Sequence, residues 1–78
     1  QLSLKEQMFE YAMLGFRMTD GIDKQDFFNR FNMEFMQIYG ERLMPSIKKG
    51  LVEETEHHIR LTKSGMDIMN SILLDIMD

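Results

Sequence analysis

Residues 49–65 read Lys-Gly-Leu-Val-Glu-Glu-Thr-Glu-His-His-Ile-Arg-Leu-Thr-Lys-Ser-Gly, and this stretch decides the fold. Gly50 suits the position just after a helix, because glycine adopts a positive φ without strain. Leu51-Val52 and Ile59-Arg60-Leu61 carry apolar residues on either side of a polar turn, which predicts a β-hairpin. Thr62 then offers its hydroxyl to the first turn of another helix. The stretch therefore predicts the order helix, hairpin, helix.

Capping residues and apolar spacing predict the remaining helices. Ser3 and Glu6 form a capping box at the start of the first helix. Asp23 is an N-cap for the second helix, and Asn32 ends it because asparagine tolerates a left-handed backbone. Pro45 lies inside the third helix and predicts a kink. The four predicted helices span about 4–18, 24–31, 34–49 and 63–77.

This order of elements describes a mainly α, winged-helix-like domain with three helices, a small two-stranded β-hairpin wing and a C-terminal helix. The 78 residues suffice for one domain with a modest core, and the 44% hydrophobic content is that of a globular chain. Because the chain holds no cysteine, disulfides, thiolate nucleophiles and cysteine metal sites are excluded within it. The first residue is Gln rather than Met, so we expect a piece excised from a longer protein.

The first predicted helix is more apolar than one small core requires. One apolar stripe follows core spacing and consists of Leu4, Met8, Tyr11, Ala12, Gly15 and Met18. Phe9, Met13 and Phe16 form a second stripe about 100° round the helix. If the first stripe faces the core of this domain, the second is an apolar patch that buries against another domain. Alternatively, the third and fourth helices cover both stripes.

The usual partner of a winged helix is nucleic acid, and the charges of this chain test whether it could bind one. The predicted wing carries Glu53, Glu54 and Glu56 where phosphates would lie. Residues 23–49 hold five basic and four acidic side chains, and the whole chain has a net charge of −4. The charge distribution therefore argues against DNA as the partner. A winged-helix DNA-binding or protein-interaction module of a regulator is kept as the alternative to the function inferred below.

The remaining polar residues do not form a reactive constellation. His57 and His58 are sequence neighbours, so in a strand their side chains would point to opposite faces and would not share a metal ion. Asp20, Asp23 and Asp26 lie at predicted cap and loop positions, where carboxylates cap helices. The nine methionines lie mostly at helical core spacing and are predicted to fill the core. We predict no catalytic, cofactor-binding or metal-binding residue in this chain.

Several stretches together carry a family resemblance that covers nearly the whole chain. They are Glu-Tyr-Ala-Met-Leu-Gly-Phe-Arg-Met-Thr-Asp-Gly-Ile at residues 10–22 and the shorter stretches 27–31, 38–39, 49–52 and 59–65. With these stretches the chain resembles the C-terminal domain of the oxygen-independent coproporphyrinogen III oxidase family, which includes heme chaperones. Asn32 replaces a usual glycine but keeps the left-handed backbone, whereas Pro45 departs from the smoother helix of the family.

The resemblance implies that residues 1–78 are a single C-terminal accessory domain of a radical SAM protein whose barrel lies outside this chain. In that family the upstream barrel holds a 4Fe-4S cluster on a Cys-x-x-x-Cys-x-x-Cys motif. With S-adenosylmethionine it oxidatively decarboxylates porphyrinogen propionates. The resemblance therefore implies that this domain docks on the barrel and helps to shape the porphyrinogen or heme site. We expect a cytoplasmic protein, with which the absence of cysteine is compatible. It implies no catalytic chemistry in this domain, and it leaves oxidase and heme chaperone both open.

Arg17 lies in the most family-like stretch and is the candidate for an interdomain or substrate-carboxylate contact. Its planar guanidinium suits a carboxylate, either from the barrel domain or from a porphyrin propionate. Alternatively, it complements the dipole at the end of the first helix or forms an ion pair within the domain. The apolar patch of Phe9, Met13 and Phe16 is the second candidate surface.

Overall fold

A computed structural model describes residues 2–77 of the chain. Its elements in chain order are α1 (Leu4–Phe16), β1 (Ile22–Asp23), α2 (Lys24–Phe31), α3 (Phe35–Lys48), β2 (Val52–Glu54), β3 (His58–Leu61), α4 (Lys63–Asp67) and α5 (Met69–Ile76). The predicted class, mainly α with a small hairpin wing, is confirmed. In residues 2–77 no helix combines the length and the apolar character needed to cross a membrane.

Capping side chains set the starts of three helices, as predicted. Ser3 Oγ accepts the N–H of Glu6 at 3.1 Å, while Glu6 Oε1 accepts the N–H of Ser3 at 3.0 Å. Asp23 Oδ1 accepts the N–H of Asp26 at 3.0 Å, and Thr62 Oγ1 accepts the N–H three residues later at 3.2 Å. Each bond satisfies a first-turn donor that has no partner inside its own helix.

The bounds of the first three helices agree with the prediction to within two residues. Asn32 adopts φ 56° and ψ 32°, and this left-handed backbone ends α2 at the predicted position. Gly50 adopts φ 75° just beyond α3, also as predicted. α1 ends at residue 16 rather than 18, because the chain turns there toward β1.

The sheet has three strands in the described residues, so the prediction of a two-stranded wing is incomplete. β3 pairs antiparallel with both neighbours in the order β1-β3-β2. The expected hairpin pairs Val52 with Leu61, and the added strand pairs Ile22 with Ile59. β1 has only two residues, which is too short to show an alternating pattern in the sequence.

The predicted C-terminal helix is two helices, so that prediction is wrong. Ile68 interrupts it with φ −125° and ψ 32°, and its N–H returns to the carbonyl of Gly65 at 3.1 Å. α4 packs on β3 of the wing, whereas α5 packs on α3. The break lets these two short helices face different partners. Met66 on α4 is 37% exposed.

An aromatic cluster forms the centre of the core. The rings of Phe27 and Phe35 meet edge-on with centroids 5.1 Å apart, and Phe35 also contacts Tyr39 at 4.9 Å. Phe16 joins from α1, and Ile22 and the inward side chains of the sheet cover the other side. Of the core stripe predicted on α1, Met8 and Ala12 are buried, whereas Leu4 and Met18 are 51% and 63% exposed. Phe35, which the sequence did not assign to the core, is buried.

Candidate functional site

α1 faces the core through one side and leaves a half-buried apolar edge beside it. Met8, Ala12 and Phe16 are buried on the core side. Phe16 is fully buried, with its ring centroid 6.2 Å from that of Phe35, so its predicted place in an exposed patch is wrong. The reason is helical geometry, since Phe16 follows the buried Ala12 by one turn. Phe9 and Met13 are half-buried and pack against the edge of the core.

An open groove of about 700 Å³ runs along this edge, between α1 and α3. Phe9 and Met13 form its α1 wall, and Met8 lies deeper. Ile38 and Tyr39 supply the α3 side. The volume lies within the range of about 300–1,000 Å³ that is usual for small-molecule sites. The surface of the groove is mostly apolar.

Both ends of the described chain lie at this groove. Leu2 and Met77 line it and are 45% and 49% exposed. Gln7 Nε2 donates to the carbonyl of Leu2 at 3.1 Å, which holds the incoming chain against the first turn of α1. Two large apolar side chains therefore stand partly uncovered where the chain enters and leaves the domain.

Charged residues border the groove with both signs. Glu6 and Glu10 project from α1, and Lys5 and Arg42 also line the groove. Arg42 Nη1 donates to the carbonyl of Ile76 at 3.1 Å, so the guanidinium caps the C-terminal end of α5. The border suits a partner that carries polar groups of either charge around an apolar centre.

Tyr39 places a free hydroxyl at the groove. Tyr39 as a whole is only 3% exposed. In residues 2–77 every fully buried side-chain polar atom has a hydrogen-bond partner, so the unpartnered hydroxyl of Tyr39 must reach solvent. Within these residues it makes no hydrogen bond. Burial raises the pKa of Tyr39, and the charge of Arg42 partly opposes that shift. The neutral hydroxyl is therefore a donor that a bound partner can use.

Arg17 stands at the far end of the α1 edge. It is the C-cap residue, with φ −76° and ψ −17°, and therefore continues the helical geometry. Phe9, Met13 and Arg17 are spaced by four residues and form one row on the helix surface. Arg17 is exposed, and its side chain makes no hydrogen bond or ion pair with residues 2–77. An intradomain ion pair, one of the two alternative roles considered for it, is therefore absent from the described part of the chain.

A second polar cluster joins α1 to α2 on the other flank. Tyr11 donates to Asp26 Oδ2 at 2.7 Å, and Arg30 Nε donates to the same oxygen at 3.1 Å. The Arg30 guanidinium also lies 5.3 Å from the centre of the Tyr11 ring. The bond from Tyr11 is the main cause that lowers the pKa of Asp26, while burial is the main cause that raises that of Tyr11. All three polar groups are satisfied within the cluster, which indicates a structural role.

The acidic wing is partly neutralised by ion pairs. Arg60 Nη2 lies 2.7 Å from Glu53 Oε1, and Lys24 Nζ lies 2.7 Å from Glu54 Oε2. Within residues 2–77 no group of three or more His, Cys, Asp or Glu side chains is arranged to hold a metal ion. The two predicted turn histidines differ in exposure, since residue 57 is exposed and residue 58 is half-buried.

Comparison with known proteins places the chain in a family. Residues 2–68 match the HemN C-terminal domain, and the chain belongs to that family. It is 31% identical over 71 residues to the heme chaperone HemW of Lactococcus lactis subsp. lactis (strain IL1403). That alignment covers 91% of this chain and 19% of the relative, so the chain spans about a fifth of the relative's length. No solved structure matches. The resemblance stated from the sequence is confirmed.

Sequence reasoning found one wall of the groove and missed the other. Phe9 and Met13 were recognised because they exceed what a helix of this size needs for its own core. The sequence analysis did not identify Tyr39 as a site residue, although a tyrosine on a core face carries a hydroxyl that needs a partner or solvent. Its hydroxyl was the available signal. The contribution of Ile38 depends on how α3 crosses α1, which no local pattern encodes.

Proposed function

We propose that this chain is the C-terminal accessory domain of an oxygen-independent coproporphyrinogen III oxidase-like protein, from the branch that handles porphyrin or heme. In that role it docks on an upstream radical SAM barrel of the same polypeptide and helps to close and shape the substrate site. The HemN C-terminal domain match and the similarity to a heme chaperone support this role. The domain contributes surface and positioning, and the barrel contributes the chemistry.

The cofactors of such a parent belong to the barrel. A 4Fe-4S cluster is held by cysteine thiolates, and this chain has no cysteine, so its residues do not fit the cluster. No step of the radical reaction is therefore assigned to this domain. Its side chains act by excluding water from the joint between the domains and by offering Arg17 to a carboxylate.

The single observation that carries the proposal is the row of Phe9, Met13 and Arg17 along α1. The two apolar side chains are covered on one side only, by the domain's own core. Burying the remaining apolar surface against another part of the longer protein is favourable, at about 25 cal/mol per Å². Arg17 continues the row with a charge that has no partner in residues 2–77. An apolar row that ends in an unpaired cation fits a protein surface carrying a carboxylate at the matching point.

The test compares matched variants in the longer protein that contains the barrel. Met13→Gln places a polar group in the proposed joint, and Met44→Gln makes the same change at an α3 residue that is 43% exposed and outside the groove. We expect Met13→Gln to speed protease cleavage between the domains about tenfold, since burying a methionine is worth about 1.5–3 kcal/mol. Met44→Gln should leave the cleavage rate unchanged. Equal rates for both variants would contradict docking through this row.

Arg17→Ala in the same protein separates the charge from the apolar contact. A carboxylate partner predicts faster interdomain cleavage or a raised KM for porphyrinogen, and a smaller effect of Arg17→Ala at high salt. Lys48→Ala is the control, because Lys48 is an exposed cation on α3 outside the groove. If Arg17→Ala matches the wild type in cleavage rate, substrate affinity and heme binding, Arg17 has no interdomain or substrate role.

A further inference from the structure

We propose that the groove between α1 and α3 is filled by the connecting segment that immediately precedes this domain in the longer protein. The inference rests on the proposed function, because it needs an upstream domain on the same polypeptide. It goes further by naming the part of that polypeptide that lies in the groove, which is the connecting segment. The body of the barrel then contacts the Arg17 end of α1.

The start of the domain is held at the mouth of the groove. Leu2 lines the groove, and Gln7 Nε2 fixes its carbonyl at 3.1 Å. The capping box then holds Ser3 in extended backbone, with φ −68° and ψ 165°. These bonds hold Leu2 and Ser3 beside the groove, so a segment that precedes the domain has only a short distance to cover to enter it.

Covalent linkage makes this segment the favoured occupant. A tethered segment of short reach is present at an effective concentration of the order of millimolar, which a separate partner rarely attains. The longest dimension of the domain is 33 Å. Since an extended chain advances about 3.3 Å per residue, roughly ten residues are enough to cross the whole domain. The relative similar to this chain extends well beyond the region of similarity, which covers 19% of its length.

The chemistry of the groove suits an extended segment with apolar side chains. Ile38, Phe9 and Met13 offer apolar contacts, and apolar side chains of the segment would also cover Leu2 and Met77. An extended backbone carries one carbonyl per residue that no helix satisfies. The free hydroxyl of Tyr39 can donate to such a carbonyl.

Site-specific photo-crosslinking in the longer protein tests the inference. The photoreactive amino acid p-benzoylphenylalanine replaces Ile38, which lines the groove, or Met44, which lies on the same helix outside it. We expect position 38 to crosslink within the same polypeptide to the roughly ten to twenty residues before this domain, mapped by mass spectrometry. Position 44 should give no crosslink to that segment.

A conservative variant gives a second readout. Tyr39→Phe removes only the hydroxyl, so the unfolding midpoint of the 78-residue chain should not change. In the longer protein the same variant should speed amide exchange in the connecting segment about fivefold, as expected for one lost hydrogen bond. Unchanged exchange in that segment would overturn the role given to Tyr39.

The outcomes separate this inference from the proposed function. Crosslinks from position 38 to the body of the barrel, or to a second copy of the protein, overturn the inference and leave interdomain docking intact. No crosslink from position 38, together with fast cleavage in Met13→Gln, overturns the inference alone. No crosslink and no effect of Met13→Gln overturn both.

Discussion

At the scale of single residues, Asp26 joins two helices through one carboxylate. Its oxygen accepts hydrogen bonds from Tyr11 of α1 and Arg30 of α2. These bonds favour the charged form, and the bond from Tyr11 is the largest cause that lowers the pKa of Asp26 in the folded state. Because the unfolded chain then binds protons more readily, the contribution of Asp26 to stability is complete above the ordinary aspartate pKa.

The expected outcome is a stability difference that depends on pH. Asp26→Asn should lower the thermal unfolding midpoint at pH 7, and the difference from the wild type should disappear as the pH falls below about 4. Circular dichroism melts at pH 7, 4 and 2 measure it. Asp20→Asn is the control, because Asp20 is exposed and makes no hydrogen bond or ion pair within residues 2–77. A difference that persists unchanged at pH 2 would show that packing, not charge, is lost.

Residue-scale predictions succeeded where the cause is local. The caps Ser3, Asp23 and Thr62 and the left-handed Asn32 each act within about four residues, so the sequence alone identifies them. The prediction for Phe16 failed although the residue lies one turn after Ala12, because the sequence does not show that Phe35, nineteen positions away, covers that part of the helix. The same reason hid the role of Tyr39 in the groove.

At the scale of elements, the crossing of α4 over the hairpin sets the shape of the wing. Gly65 lies so close to Leu51 that a Cβ on residue 65 would overlap the Leu51 carbonyl oxygen. Thr62 ties the same elements, since its hydroxyl donates to the carbonyl of Gly50 at 2.7 Å. The close approach of α4 to Leu51 therefore requires glycine at position 65. Together with the cap at Thr62, this requirement explains why a threonine is followed three residues later by a glycine.

Gly65→Ala should therefore destabilise the chain by about 1–3 kcal/mol, the usual cost of forcing atoms into a packed site. Gly40→Ala is the matched control on α3, where the added Cβ meets Met36 at an ordinary 3.4 Å. That change should stabilise the chain by about 1 kcal/mol, because alanine favours helix over glycine. Urea unfolding measures both. Equal stability of Gly65→Ala and the wild type would mean that α4 moves away at little cost.

Element-scale predictions succeeded for the helices and failed where short segments meet. α2 was predicted at its observed bounds because a cap stands at each end. The added strand β1 and the break at Ile68 were missed. The strand is two residues long and the break is a single residue, and neither is long enough to give a periodic signal in the sequence. Both exist because of partners distant in sequence: β3 for the strand, and α3 for the second half of the broken helix.

At the scale of the whole molecule, the surface carries an apolar groove and a wing of mixed charge. Ion pairs on the wing engage Lys24 and Arg60, two of the cations that a winged helix would present to phosphates. Arg30 is engaged by Asp26, and the chain as a whole has a net charge of −4. At least three of the nine basic side chains are therefore paired with carboxylates within residues 2–77, and the wing presents no excess of positive charge.

This distribution of charge predicts no measurable DNA binding. Fluorescence anisotropy with a 20-base-pair duplex in 50 mM salt should show no saturation up to about 100 μM, whereas non-specific DNA binders typically saturate between about 1 and 100 μM. A triple variant, Glu53→Gln, Glu54→Gln and Glu56→Gln, frees the wing of its negative charge. If repulsion by the wing is the cause, that variant should gain weak binding that high salt abolishes. Strong, salt-sensitive binding by the wild type would instead favour the role of a DNA-binding regulator, because phosphate contact would then overcome the acidic wing.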